Sequence, residues 1–316
     1  MICSTPKIVL LTIIGVITIL TFGINVPHVE AGDIRIAVLI SYKGDPFDEA
    51  LGGFQKYLRS QGISASYDLY SLDRDQEKVG QVVQKVKTNR PNLVFTLGSL
   101  TTEAALKEII DIPIIAGMIL RSDPLKKTSN GTGIFLEFPV EIQFKWLQYI
   151  LPDTKTIGVI YNPKENQERI ENADKIAQKM GFTLNAKEVH VPQDLPYALN
   201  GLSKNIDILW GVADNLVLIP QTAKHILLFS FRNSIPLIGL SSTWVKAGAL
   251  YALETDYTDK GMQCGEIALR VLNGTKVSSI SPAPPRKVIY SLNLNTAEQM
   301  KIKISEKIVR EAYRIY

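Results

Sequence analysis

The sequence holds 316 residues, 46% hydrophobic and 21% charged, with 35 basic against 31 acidic side chains and a formal net charge of +4. That length leaves room for two domains, and the balance is that of a folded globular chain. So slight a basic excess argues against a dedicated nucleic-acid surface, and no run of like charges is long enough to act as a binding tail.

The first thirty residues stand apart. Lys7 precedes the uncharged run "IVLLTIIGVITILTFGI" (8–24), and Val29 and Ala31 place small residues at the −3 and −1 positions of a cleavage site. A basic start, an apolar middle and a small-residue exit describe a secretory signal peptide over residues 1–31. An anchor that stays in place is the alternative, at the short edge of the spanning range. Cys3 lies before the apolar run, so the signal does not end in a cysteine able to carry a lipid. Cleavage leaves Cys264 as the one cysteine, without an intrachain disulfide and read as a small buried hydrophobe.

From residue 33 strands and helices alternate. "IRIAVLI" (34–40) is continuously apolar, as a strand buried on both faces should be. "DEALGGFQKYLRSQG" (48–62) has helical spacing and closes on Gly62, "SASYDLYSL" (64–72) alternates, and "RDQEKVGQVVQKVKTNR" (74–90) is helical until Pro91. "NLVFTLGS" (92–99) is a strand running into a helix at "TTEAALKEII" (101–110), and "IPIIAGMIL" (112–120) is another strand. The rhythm then restarts. "VEIQFKWLQYILP" (140–152) is helical, "KTIGVIYN" (155–162) a strand and 164–181 a helix. Strands follow at 183–191, 206–214 and 235–243, with a helix over 219–233. "GALYALETD" (248–256) is strand-like, a helix runs to Gly274, and the Pro-rich "SPAPPR" (281–286) leads to a strand at 287–294 and a helical tail. The pattern predicts an α/β protein of two doubly wound parallel sheets, recrossed by the chain at a hinge.

In such sheets ligands sit beyond the carboxyl ends of the strands. Those ends carry Tyr42, Phe47, Ser99, Thr101 and Thr102 in the first half, and Asn162, Asp214, Asn215 and Ser242 in the second. Ser99, Thr101 and Thr102 lie where a helix N-terminus could hold a carboxylate, or they cap the helix. Asp214 could accept a ligand ammonium or shape a turn, and Asn162 precedes a proline in a turn signal. Tyr42 and Phe47 could stack on a ligand or pack in the core. No glycine-rich phosphate fingerprint, metal-ligand spacing or GxSxG elbow is present, and only His28, His190 and His225 supply imidazole. The inventory favours binding over catalysis, with no cofactor and no metal.

One stretch carries a family resemblance: "IPLIGLSSTWVKAGALYALETDYTDKGMQCGEIALRVLNG" (235–274), with its "KAGAL" turn, its Asp256-Tyr257 pair and Gly261. "IGVIYNP" (157–163), "ADN" (213–215) and "YSLNLNTAEQMKIKI" (290–304) add to it. In this order the motifs resemble the extracytoplasmic solute-binding proteins of ABC transporters, in the branch that includes tryptophan- and phenylalanine-type binders. The resemblance implies a type I periplasmic-binding fold with three crossings between lobes. Lobe one would be 32–137 plus 256–284, and lobe two 138–255 plus 285–316. It implies that Ser99, Thr101, Thr102, Asn162, Asp214 and Asn215 face a small organic ligand, an amino acid or related carboxylate. It also implies a periplasmic monomer serving an ABC permease in the inner membrane. The alternative output is a signal to a membrane sensor kinase or chemoreceptor; an enzyme using the same cleft is the third reading.

Overall fold

The computed structural model describes Met1, residues 34–72, Asp75 and residues 77–316, and all its elements lie in the unit Asp33–Tyr316. The expected signal peptide over 1–31 falls, apart from Met1, outside the described residues. Among the described residues no helix is long and apolar enough to cross a membrane.

The first half alternates strand and helix as β1 (Ile34–Ile40), α1 (Phe47–Ser60), β2 (Ala65–Ser71), α2 (Glu77–Asn89), β3 (Leu93–Leu97), α3 (Ser99–Glu108), β4 (Ile114–Ile119), α4 (Asp123–Lys126) and β5 (Gly131–Phe135). The strands form one parallel sheet in the order β2-β1-β3-β4-β5. Every residue of β3 and β4 is buried, which is why both read as continuous apolar runs. β5 is the strand that the sequence hides. "NGTGIF" reads as a glycine-rich loop, yet a Cβ at Gly133 would stand 2.0 Å from the Ala116 carbonyl oxygen, so only glycine lets β5 pair there with β4.

The second half runs α5 (Val140–Ile150), β6 (Thr156–Tyr161), α6 (Pro163–Lys179), β7 (Thr183–Glu188), α7 (Leu195–Asn200), β8 (Ile208–Trp210), α8 (Pro220–Asn233), β9 (Leu237–Gly239), α9 (Ser242–Lys246) and β10 (Tyr251–Thr255). Then come α10 (Tyr257–Leu272), β11 (Val288–Leu292), α11 (Leu294–Gln299), α12 (Glu306–Glu311) and β12 (Arg314–Ile315). The second sheet is ordered β12-β11-β10-β9-β8-β6-β7, parallel except where β10 meets β11. The strands expected over 206–214 and 235–243 are only three residues each, because the chain leaves the sheet early to form loops at their carboxyl ends.

Among the described residues the chain passes between the sheets three times. Residues 136–139 lead from β5 to α5, 256 joins β10 to α10, and 284–287 return the chain to β11. α10 belongs physically with the first sheet: its Cys264, Ile267 and Ala268 share a core with Ile36, Phe54 and Phe95. A Cβ on Gly261 would come within 1.9 Å of the Ala50 carbonyl oxygen, so α10 and α1 touch backbone to backbone. Residues after α10 extend the same sheet: Phe135 N–H donates to Ala283 O, and Ala283 N–H to Gly133 O. A separate core of Phe144, Ile157, Trp210, Tyr251 and Tyr290 lies under the second sheet.

Candidate functional site

The carboxyl ends of β3, β4, β8 and β9 and the chain crossings enclose three cavities. One, about 180 Å³, is walled by Leu120, residues 136–138, Gln143, Phe144 and Arg169, together with Trp210, the ends of β8 and β9, Tyr251, 253–255 and Tyr257. A second, about 350 Å³, lies between Ser99, Thr102, Glu103, 119–121, Asp123 and Pro124 on the first half and Glu165 and 213–215 on the second. Leu120 and Ala213 line both, so the two adjoin. A third, about 590 Å³, is bounded by Asp45, Glu49, 241–243, 254–258 and Arg314.

Ser99, Thr102, Asp214 and Asn215 are brought together around the second cavity, and Ser242 lines the third. Tyr42, Phe47, Thr101 and Asn162 line none of the three. Phe47 is in the first core, with the Tyr42 ring 4.2 Å away. α3 begins two residues before the expected Thr101, and its hydroxyls turn inward. The Thr102 hydroxyl bonds Gly98 O at 2.8 Å and the Thr96 hydroxyl at 2.8 Å. The Thr101 hydroxyl bonds Leu97 O and Gly98 O, each at 3.1 Å. Both side chains are fully buried, whereas Ser99 is exposed. They tie the end of β3 to the start of α3.

The acidic loop closes on itself in the same way. Asp214 accepts from Asn162 N at 2.9 Å, Leu216 N at 2.9 Å and Val217 N at 2.5 Å. Asn215 donates its backbone and side-chain N–H groups to the two oxygens of Glu165, each at 3.2 Å. Asn162 caps α6, its Oδ1 accepting from Lys164 N at 3.1 Å.

The adjoining 180 Å³ cavity holds residues that the motif reading did not single out as a site. Phe138, Phe144, Trp210, Tyr251 and Tyr257 give it aromatic walls. Phe144 and Trp210 meet edge to face with ring centroids 5.1 Å apart, and the Trp210 N–H donates to Gln143 Oε1 at 2.9 Å. Two arginines flank a buried acid. Glu137, on the first crossing, pairs with Arg169 Nη1 and faces Arg121 Nε at 3.6 Å. Burial raises the Glu137 pKa above the usual carboxylate range, and the two arginines pull against that rise. Burial lowers the Arg169 pKa to about 10, with Glu137 opposing; the guanidinium stays charged at neutral pH. Its plane lies over Trp210, 5.3 Å from the ring centroid.

Arg121 spans the two halves. It follows β4, yet it donates to Glu165 O at 3.0 Å, Asn166 Oδ1 at 2.5 Å and Ala213 O at 3.0 Å, all from the second half. The signal for these charges was present but weak. Arg169 sits on the stripe of α6 that buries Asn166, Ile170, Ala173 and Ile176, where a cation needs a partner. Among the described residues no group of three His, Cys, Asp or Glu side chains is placed to hold a metal ion.

A protein family described as ABC transporter substrate binding protein matches residues 34–315. A tyrosine-binding protein of Clostridioides difficile is 26% identical over 265 residues, covering 78% of this chain and 74% of that one. A ligand-free, open substrate binding protein with adhesive properties from Clostridium difficile superposes with a TM-score of 0.76 at 22% identity, over 89% of this chain and 98% of that one. An ABC domain in complex with L-Trp from Streptococcus pneumonia gives a TM-score of 0.65 at 21% identity, over 90% and 100% of the two chains. At these identities the structural likeness speaks for a shared two-lobed α/β fold.

Proposed function

The chain belongs to the ABC transporter substrate binding protein family, and from that premise we propose that it captures an aromatic amino acid or a related small carboxylate for an importer. The ligand lies between two lobes, 32–137 plus 256–284 and 138–255 plus 285–316, which close over it. The protein works outside the cytoplasm as a monomer, exported by its N-terminal segment, and hands its ligand to a permease in the inner membrane.

One observation carries the ligand class: an aromatic-walled cavity at the chain crossings that also holds a buried charged pair, Glu137 and Arg169. Flat walls suit a ring, and buried charges suit a zwitterion. The tyrosine-binding and tryptophan-bound relatives support the same class. Closure follows when the ligand binds the closed form more tightly than the open one. Ser99, Thr102, Asp214 and Asn215 then border the entry, while Tyr42, Phe47, Thr101 and Asn162 hold the strand ends that shape it.

Isothermal titration of the purified protein with L-tyrosine, L-tryptophan, L-phenylalanine and a panel of sugars tests this. Binding of an aromatic amino acid and not of the sugars is expected. Heat from sugars alone, or from none of the amino acids, overturns the ligand class.

A further inference from the structure

Arg169 and Tyr251 share a property within the aromatic-walled cavity: each keeps donor capacity without a hydrogen-bond partner among the described residues. The Arg169 side chain is only 14% exposed, and among the described residues its one charged or hydrogen-bonding partner is Glu137. A guanidinium carries five N–H donors, so most of its capacity is open. Tyr251 is fully buried at the start of β10, and its hydroxyl has no hydrogen-bond partner among the described residues. A buried hydroxyl without a partner is costly to leave unmet, and open guanidinium donors lining the same cavity call for an occupant as well.

The acceptors of the same cavity are partly engaged. Glu137 lies between Arg121 and Arg169, Gln143 Oε1 receives the Trp210 N–H, and Glu254 Oε2 receives the Ser291 hydroxyl at 2.8 Å. Arg121 differs from Arg169 at its two terminal nitrogens, which already have three acceptors, while its buried Nε has no hydrogen-bond partner among the described residues. Open donors on Arg169 and Tyr251 fit an anionic group, and a planar carboxylate matches the guanidinium fork.

We infer that Arg169 and Tyr251 receive the carboxylate of the bound ligand, Arg169 through its open N–H donors and Tyr251 through its hydroxyl. The acid end of the ligand then points to α6 and β10, away from the α3 N-terminus where the hydroxyl cluster had suggested it. The ring lies along the aromatic walls. This assignment rests on the ligand class proposed above and on its place in this cavity.

Paired probes separate the two. L-Tyrosine, L-tryptophan and L-phenylalanine are titrated beside tyramine, tryptamine and phenethylamine, which lack only the carboxylate. The unaltered protein is expected to prefer each acid over its amine by about 100-fold, the range of a charged hydrogen-bonded contact. Arg169→Gln should weaken the acid by about that factor and leave the amine unchanged, so the preference collapses. Glu137 keeps Arg121 beside it in that variant, which protects the fold. Tyr251→Phe retains the ring and should cost the acid about tenfold, again without effect on the amine. An unaltered protein that binds acid and amine equally overturns the assignment, as does an Arg169→Gln or a Tyr251→Phe protein that keeps the full preference. No binding by any of the three acids overturns this assignment together with the ligand class. Binding with the preference intact in the variants overturns this assignment alone.

Discussion

The rim of the cleft and the cavity at its crossings hold the same kinds of residue in opposite conditions. At the rim, Thr102 and Asp214 have their hydrogen-bonding capacity filled by neighbouring backbone. At the crossings, Arg169 and Tyr251 have theirs open. A ligand competes only for capacity that the fold leaves unfilled, because displacing an existing bond returns little net free energy. The chemical type of a side chain at a strand end is therefore a poor guide to binding, and its partner count a better one.

The largest expected effect comes from another buried cation, one that lines none of these cavities. Lys260 on α10 is 1% exposed, and its ammonium donates to Phe135 O at 2.9 Å. Burial lowers its pKa from 10.5 to about 7, with the Cys264 thiol four residues on acting weakly the other way. Between those values the unfolded chain holds a proton that the folded one does not, so stability rises with pH. The slope approaches about 1.4 kcal/mol per pH unit, and below pH 7 the full cost remains. Burial also raises the Cys264 pKa to about 12, which opposes the trend only above its ordinary value of 9.0. Lys260→Met should remove the slope between pH 7 and 9 in urea unfolding. A variant that keeps it would mean the comparison misjudges what an unfilled donor costs where no ligand can reach it.

Asp214→Ala comes next. Three backbone N–H groups lose their acceptor, and the expected loss is about 2–3 kcal/mol of stability. Affinity of the folded protein for the ligand class proposed above should hold within about twofold. Were Asp214 the acceptor of the ligand ammonium, titration would show the reverse, a large affinity loss with little change in the urea midpoint.

Arg121 tests the boundary between the two conditions, because its two engaged terminal nitrogens reach across the cleft while its Nε has no hydrogen-bond partner among the described residues. Arg121→Ala removes three hydrogen bonds between the halves. The closed form loses population, so solution X-ray scattering should report a larger radius of gyration without ligand. Apparent affinity should fall by about tenfold, in proportion to the competent fraction. An unchanged radius would mean that the lobes are held by the crossings alone.

The outline of the molecule was legible in sequence because burial on both faces of β1, β3 and β4 forces apolar runs, and helices between them force parallel pairing. β5 was not, since the reason for Gly133 is a contact with Ala116, on a strand that only the fold brings beside it. The strand ends were found for the same reason that the sheets were. What each end does was hidden, because whether a hydroxyl faces a ligand or its own carbonyl depends on where the helix starts. α3 opens at Ser99, with Gly98 at φ +102° preceding it, and that placement turns Thr101 and Thr102 toward β3. Glu137 and Tyr251 gave no motif at all; a crossing residue and a strand residue become neighbours of one cavity only when both sheets are in place.

Thr102→Val is the smallest expected effect and the most direct test of that last point. Valine matches threonine in shape and lacks the hydroxyl, leaving Gly98 O without its 2.8 Å donor and the Thr96 hydroxyl without its partner. Gly98 O still accepts the Thr102 N–H at 3.1 Å, so the helix keeps its first bond. The cost should stay near 1 kcal/mol in the urea midpoint. Ligand affinity should not move, since a hydroxyl bonded to two groups of its own chain has no donor left for a guest. A loss of affinity without a loss of stability would place the hydroxyl at the ligand, and the distinction between filled and open capacity would fail at the position where the sequence most invited a different reading.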